Sequence, residues 1–265
     1  MPIPGSVPGR FAVGLALPLR GFAYLMERPA LWKYALLPVL LTFAGLAAGL
    51  AVAAPLSGAI LGSLWGESQG LLAVAWWLTR AALYVVLVYL AAVALPVAIS
   101  APFADRLSAR VEELELGTAG GGGLARAAVE AWLGVAHALA RLAVLLLGHA
   151  ILIPCLLVPF VYPALAFVWT ARWTAVEYLD LPMARNLHRL RAVRAALAAV
   201  RPLGAGFGAV LAALFLLPFA NLLIVPIGAV AGTLLYCDLV RGGHIERSRV
   251  SPPAAQDRRS VGMNP

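Results

Sequence analysis

Long apolar runs without charge constrain this chain more than any other feature of its sequence. Neither 142–171 nor 207–237 contains Asp, Glu, Lys or Arg. About 20 apolar residues in a helix cross the hydrocarbon core of a bilayer, so runs of this length predict membrane helices. Charged residues make up only 12% of the chain, against about 25% in an average soluble domain. The sequence therefore predicts an all-α integral membrane protein.

Two other apolar stretches, over about 33–54 and 71–100, predict full transmembrane helices. Residues 55–70, between them, contain no Lys or Arg and predict a short outer loop. Pro102 predicts the end of the second span. A separate amphipathic helix is then expected to run up to Gly117, because glycine commonly ends helices.

The net charge of +8 comes almost entirely from arginine, since Lys33 is the only lysine. In so apolar a chain, basic residues are expected to flank membrane segments rather than to bind nucleic acid. Residues 182–201 predict an amphipathic cytoplasmic helix whose arginines contact membrane lipids. Residues 242–265 are polar and predict a disordered cytoplasmic tail, which leaves 1–241 as a single membrane domain.

The basic segments also predict a topology. Residues 1–34, 177–201 and 239–265 are each net positive, and positive segments face the cytoplasm. An even number of crossings must therefore separate them, with both termini cytoplasmic. Two full spans satisfy this rule only if the runs 142–176 and 207–237 each enter and leave on the same side.

Prolines interrupt both of these runs and predict re-entrant helical hairpins. Their hinges are predicted at Pro154 and Pro159 in the first run and at Pro218–Asn221 in the second. Asn221 is expected to cap the second arm and Pro226 to relax it. Both runs end in Tyr-x-Asp, at 178–180 and 236–238, which hints at an internal repeat. A single kinked full span in each run is the alternative.

Several motifs, taken in order, resemble one known family. They are Pro29 with the LLP at 36–38, ISAPFADRLSARVEELELG at 99–117, EYLDLP at 177–182, and PFANLLIVPIGAVAGTLLYCD at 218–238. From about Gly21 to Arg241 the chain resembles the CysZ-like sulfate permease family, which shares its domain with the eukaryotic etoposide-induced membrane proteins.

The resemblance implies two full transmembrane helices and two hemipenetrating hairpins. It also implies a homo-oligomeric inner-membrane protein that takes up sulfate for sulfate assimilation and cysteine biosynthesis. Family members associated with sulfate binding carry a Gly-apolar-basic motif before the first span. Here the matching residues are Gly21, Phe22 and Ala23, so the basic residue is absent.

Arg20, Gly21 and Arg28 form the candidate anion-binding site, because arginine forks and helix-start amides bind oxyanions. Alternatively, both arginines are ordinary anchors at the cytoplasmic face. The leading functional hypothesis is a transporter or channel for a small oxyanion, sulfate in particular. A non-transporting scaffold that binds lipids or partners is the second hypothesis.

No enzyme, cofactor or metal is predicted. The glycine-rich GAGFG at 204–208 follows no predicted strand, so it is not a dinucleotide-binding fingerprint. His, Cys, Asp and Glu show no metal-ligand spacing.

Overall fold

The computed structural model describes residues 4–66, 70–117, 124–217 and 221–245. All regular structure in these residues is helical, which confirms the all-α class. The helices are α1 Val7–Met26, α2 Trp32–Trp65, α3 Leu71–Leu116, α4 Leu124–Leu152, α5 Val161–Arg185, α6 Leu190–Ala199, α7 Arg201–Phe215 and α8 Asn221–Arg241. Short 3₁₀ turns at Pro29–Leu31 and Ile153–Leu157 precede α2 and follow α4.

Four segments of the described residues are helical, long and apolar enough to cross a membrane. They are Pro29–Leu64, Leu72–Ala92, Trp132–Leu157 and Leu223–Arg241. The prediction of a multi-pass membrane protein is therefore confirmed.

The hairpin of α2 and α3 turns apolar side chains outward. Leu40, Phe43 and Val85 are 64%, 56% and 63% exposed. A continuous apolar surface of this kind is unfavourable in water but suits contact with lipid chains. This hairpin therefore presents a lipid-facing surface.

The predicted outer loop at 55–70 is wrong over most of its length. Helix α2 continues through Pro55 to Trp65, so only a few residues separate it from α3. A proline removes one backbone hydrogen bond and bends a helix, and within a membrane bundle neighbouring groups compensate for that loss. Proline at this position therefore does not end the span.

The predicted break at Pro102 is also wrong. Helix α3 runs without interruption to Leu116 and ends at Gly117, whose φ of 77° is left-handed. At about 1.5 Å per residue its 46 residues extend about 69 Å, more than twice the bilayer core. Its second half instead joins the protein core, where Leu107 and Val111 are completely buried.

The core is built from α1, α5, α7, α8 and the second half of α3. Its largest fully buried side chains include Leu179, Phe207 and Tyr236. Most of the apolar window of α8 is buried inside the protein. Helix α8 is therefore the central helix of the core, although its composition alone is that of a lipid-facing span.

Glycines let the core helices approach closely. A Cβ atom added at Gly206 of α7 would lie 2.5 Å from the carbonyl oxygen of Phe11 in α1. Gly206 belongs to the glycine-rich stretch 204–208, which is helical. Small residues at membrane helix interfaces bring backbones together, so this stretch serves helix packing.

The predicted amphipathic helix at 182–201 is divided. Helix α5 ends at Arg185, and Leu187 adopts a left-handed φ of 58°. The amide of His188 donates to the carbonyl oxygen of Met183 at 2.9 Å, a bond that commonly closes a helix end. Only α6, from Leu190, is the separate amphipathic helix, and it meets α7 at an angle of 107°.

The five predicted hinge positions differ in their surroundings. Pro154 lies in the 3₁₀ turn after α4, and Pro159 lies just before Phe160, whose φ of 68° is left-handed. Pro226 lies inside the continuous helix α8. Pro218 lies outside the described residues, as does the side chain of Asn221, whose backbone begins α8.

Helix lengths distinguish the two hairpins. Helices α4 and α5 have 29 and 25 residues, or about 44 and 38 Å, so each is long enough to cross a bilayer core of about 30 Å. Helix α7 has only 15 residues, about 23 Å, and is too short. A re-entrant hairpin and two complete crossings each return the chain to the same side of the membrane. Either arrangement therefore keeps the basic segments on the cytoplasmic side.

We expect Gly206→Ala to lower the free energy of unfolding by about 1–3 kcal/mol, because the added methyl group forces α1 and α7 apart. Unfolding in detergent micelles, followed by tryptophan fluorescence, measures the effect. Gly134→Ala in α4 is the control, since nothing lies within 4 Å of a Cβ atom there, and it should be neutral or slightly stabilising. Equal stability of the two variants would contradict the close α1–α7 contact.

Candidate anion-binding site

Arg20 is held by an ion pair to a distant part of the chain. Its Nη1 donates to Oδ2 of Asp238 near the end of α8. The Asp238 side chain is only 5% exposed, and that of Arg20 is 31% exposed. The pair therefore joins α1 to α8, and Asp238 already neutralises the charge that Arg20 was predicted to offer an anion.

Gly21 serves packing. It lies in the interior of α1, where backbone amides bond within the helix. A Cβ atom at this position would lie 2.8 Å from the carbonyl oxygen of Ile227 in α8. Gly21 therefore presents no free amide in this conformation, and its predicted role in anion binding stays a prediction.

Arg28 is the more available of the two arginines. Its guanidinium lies 3.6 Å from the centre of the Tyr24 ring. Its carboxylate contact is with Glu27 at 3.4 Å, and the Glu27 side chain is 71% exposed. Exposed pairs of this kind contribute little. Arg28 also precedes the 3₁₀ turn that leads into α2, and helix starts carry partial positive charge.

The ends of α1, α3 and α8 meet around these arginines. Arg241 donates to Oε2 of Glu115 at 2.8 Å. Burial alone would raise the pKa of the Glu115 carboxyl, but the hydrogen bond and the charge of Arg241, with the nearby charge of Arg28, hold that pKa below its ordinary value. Together with Arg28, the paired charges Arg20–Asp238 and Glu115–Arg241 form a group that we call the α1–α3–α8 cluster.

Sequence reasoning missed a second polar group inside the core. Arg185, 7% exposed, donates to Oε2 of Glu112 and to Oδ1 of Asp105, both at 2.8 Å. Asn186 donates to the other oxygen of Glu112 at 2.8 Å. The Glu112 side chain is completely buried. These bonds fasten the second half of α3 to the end of α5.

A third polar group joins α4 to α5 and α6. Asp180 accepts hydrogen bonds from Nδ1 of His137 at 2.8 Å and from Arg141. The amide of Leu190 donates to Nε2 of His137 at 3.1 Å, so the imidazole proton lies on Nδ1. Asp180 and Asp238 end the two Tyr-x-Asp motifs, and each pairs with an arginine.

The sequence contained only part of the signal for these groups. Charged residues beside apolar helices need partners, so Glu112 and Arg185 were recognisable as candidates. Their pairing spans 73 residues, and no local pattern identifies the partner. Among the described residues, no group of His, Cys, Asp and Glu is arranged to hold a metal ion.

Comparison with known proteins gives one family match. Residues 17–226 match the family described as sulfate transporter CysZ/etoposide-induced protein 2.4. A search of curated proteins finds no match.

We expect Glu112→Gln to lower the free energy of unfolding by about 3 kcal/mol, because it leaves the buried charge of Arg185 incompletely paired. Thermal unfolding in detergent, followed by circular dichroism, measures the change. The neighbouring Glu113→Gln is the matched control. Glu113 forms a half-exposed pair with Arg110, and its loss should cost under about 1 kcal/mol. A smaller effect at Glu112 than at Glu113 would contradict the buried role.

Proposed function

The chain belongs to the sulfate transporter CysZ/etoposide-induced protein 2.4 family, and we propose that it carries a small inorganic oxyanion, sulfate, across the membrane. The family match over most of the chain is the observation that carries this proposal. The multi-pass helical architecture agrees with it, because transport requires a protein that spans the bilayer.

We propose Arg28 as the principal anion contact, with Arg20 in a supporting role. Among the described residues, the ion pair of Arg28 is with the exposed carboxylate of Glu27, a weak contact that its guanidinium can exchange for an oxyanion. A planar guanidinium offers paired donors to tetrahedral oxyanions. Arg20 holds Asp238 in place, which limits the negative charge presented to an approaching anion.

To cross the membrane, the anion then requires polar groups along a path that is shielded from lipid. A divalent oxyanion cannot shed its water without replacement donors. In the proposed mechanism, the anion loses water at the α1–α3–α8 cluster and passes along the α4–α5 and α7–α8 hairpins. Irregular backbone at membrane depth, as in the turn between α4 and α5, is tolerated only where protein or water satisfies it, so this turn is suited to lining a path.

The wider setting follows from the same proposal. We place both termini on the cytoplasmic side of the cell inner membrane, since the basic segments lie at the chain ends and around α6. We further propose that the chain acts as a homo-oligomer and supplies sulfate for assimilation into cysteine.

Uptake of radiolabelled sulfate by proteoliposomes tests the proposal. Wild-type protein should load the vesicles above the level of empty liposomes, and selenate should compete. Arg28→Ala should reduce uptake about tenfold, the effect of losing one charged hydrogen-bonding contact of roughly 1.5 kcal/mol. It should lower the free energy of unfolding by less than about 1 kcal/mol, because Arg28 is only half-buried and its contacts with Glu27 and the Tyr24 ring are of the weak kind.

Arg110→Ala serves as the matched control, because Arg110 is a half-exposed arginine of α3 that pairs with Glu113. Its uptake should equal that of wild type. Absence of uptake with correctly folded wild-type protein would refute transport by this chain alone and favour the scaffold hypothesis. Equal losses in both variants would exclude a specific role for Arg28.

A further inference from the structure

A cavity of about 510 Å³ lies between α1, α5, α6 and α7, apart from the α1–α3–α8 cluster. Its size falls in the range of sites for organic ligands, roughly 300–1,000 Å³. Most of its lining is apolar, including Phe11, Phe167, Val176 and Leu197. The cavity is therefore suited to hydrocarbon rather than to a hydrated ion.

Three arginines, each exposed, are the charged residues of this cavity's lining: Arg172, Arg194 and Arg201. None of them forms an ion pair with a carboxylate among the described residues, whereas Arg20, Arg141, Arg185 and Arg241 all do. Arg194 does lie 5.7 Å from the Trp173 ring centre. The cavity thus combines an apolar interior with three positive charges that lack carboxylate partners.

The surrounding helices have the geometry of a membrane boundary. Helix α6 buries Val193, Ala196 and Leu197 against the core and turns its arginines outward. It meets α7, which begins at Arg201, at 107°. An amphipathic helix set across a membrane-entering helix lies at the level of the lipid headgroups.

We propose that this cavity binds one anionic phospholipid, with its phosphate among the three arginines and part of an acyl chain against the apolar lining. A free inorganic anion would satisfy the arginines but leave the apolar interior unfilled. A zwitterionic lipid would fill the interior but compensate the charge poorly. This site goes beyond the proposed transport function and does not depend on it.

Native mass spectrometry of the full chain in detergent tests the site by titration with phosphatidylglycerol and phosphatidylcholine. The wild type should bind phosphatidylglycerol at least about tenfold more tightly, since each basic side chain strengthens contact with anionic lipid by about fivefold. The double variant Arg194→Gln/Arg201→Gln should lose this preference. The control Arg106→Gln/Arg110→Gln removes the same charge from α3 and should retain it.

Two further experiments test whether phosphatidylglycerol binding requires the open cavity and whether it requires more of the lipid than its headgroup. Ala205→Trp keeps all three arginines but fills the cavity that Ala205 lines, and it should also weaken phosphatidylglycerol binding. Glycerol 3-phosphate should not displace the lipid. Equal binding of both lipids, equal losses in the two double variants, unchanged binding in Ala205→Trp, or displacement by glycerol 3-phosphate would each overturn the proposal.

Discussion

Close helix packing at glycines is the constraint on which this structure depends. In a membrane, apolar side chains gain little by leaving lipid for protein, so the hydrophobic effect alone does not assemble helices. The close approach of helix backbones must then determine which helices associate. Gly206 brings α7 onto α1, and Gly21 brings α1 onto α8. These contacts place α8 at the centre and bring the ends of α1, α3 and α8 together.

Buried charge pairs stabilise the helix arrangement that close packing at glycines allows. Asp238 meets Arg20 across the α1–α8 contact, while Glu112 meets Arg185 across α3 and α5. Separating a buried pair leaves an uncompensated charge in an apolar setting. The pairs therefore select one arrangement among many apolar packings. Among the described residues, Arg28 is instead ion-paired to the exposed Glu27.

The sequence predicted the fold class well because membrane spans depend on composition and length, which are local properties. It also identified Gly117 as a helix end. It failed at Pro102 because burial of Leu107 and Val111 favours one continuous helix. It failed within 182–201 because the closing turn at Leu187 has no strong local signal.

The candidate site was predictable only in part. A basic residue near the first span follows from positive-inside counting, and Arg28 fits that expectation. The partner of Arg20 lies 218 residues away, so its neutralisation is a property of tertiary structure. The role of Gly21 likewise depends on the path of α8. Sequence patterns identify charged groups, whereas tertiary packing determines which of them remain available to bind a ligand.

Thermal unfolding in detergent, with sulfate or chloride at equal ionic strength, tests directly whether Arg28 binds an inorganic oxyanion. A ligand that binds the folded state raises the midpoint temperature, but sulfate also stabilises proteins generally. Comparison with Arg28→Ala separates these effects. We predict a sulfate-specific rise in the wild type that is largely lost in Arg28→Ala. The same rise in both proteins would show a general salt effect and contradict the site.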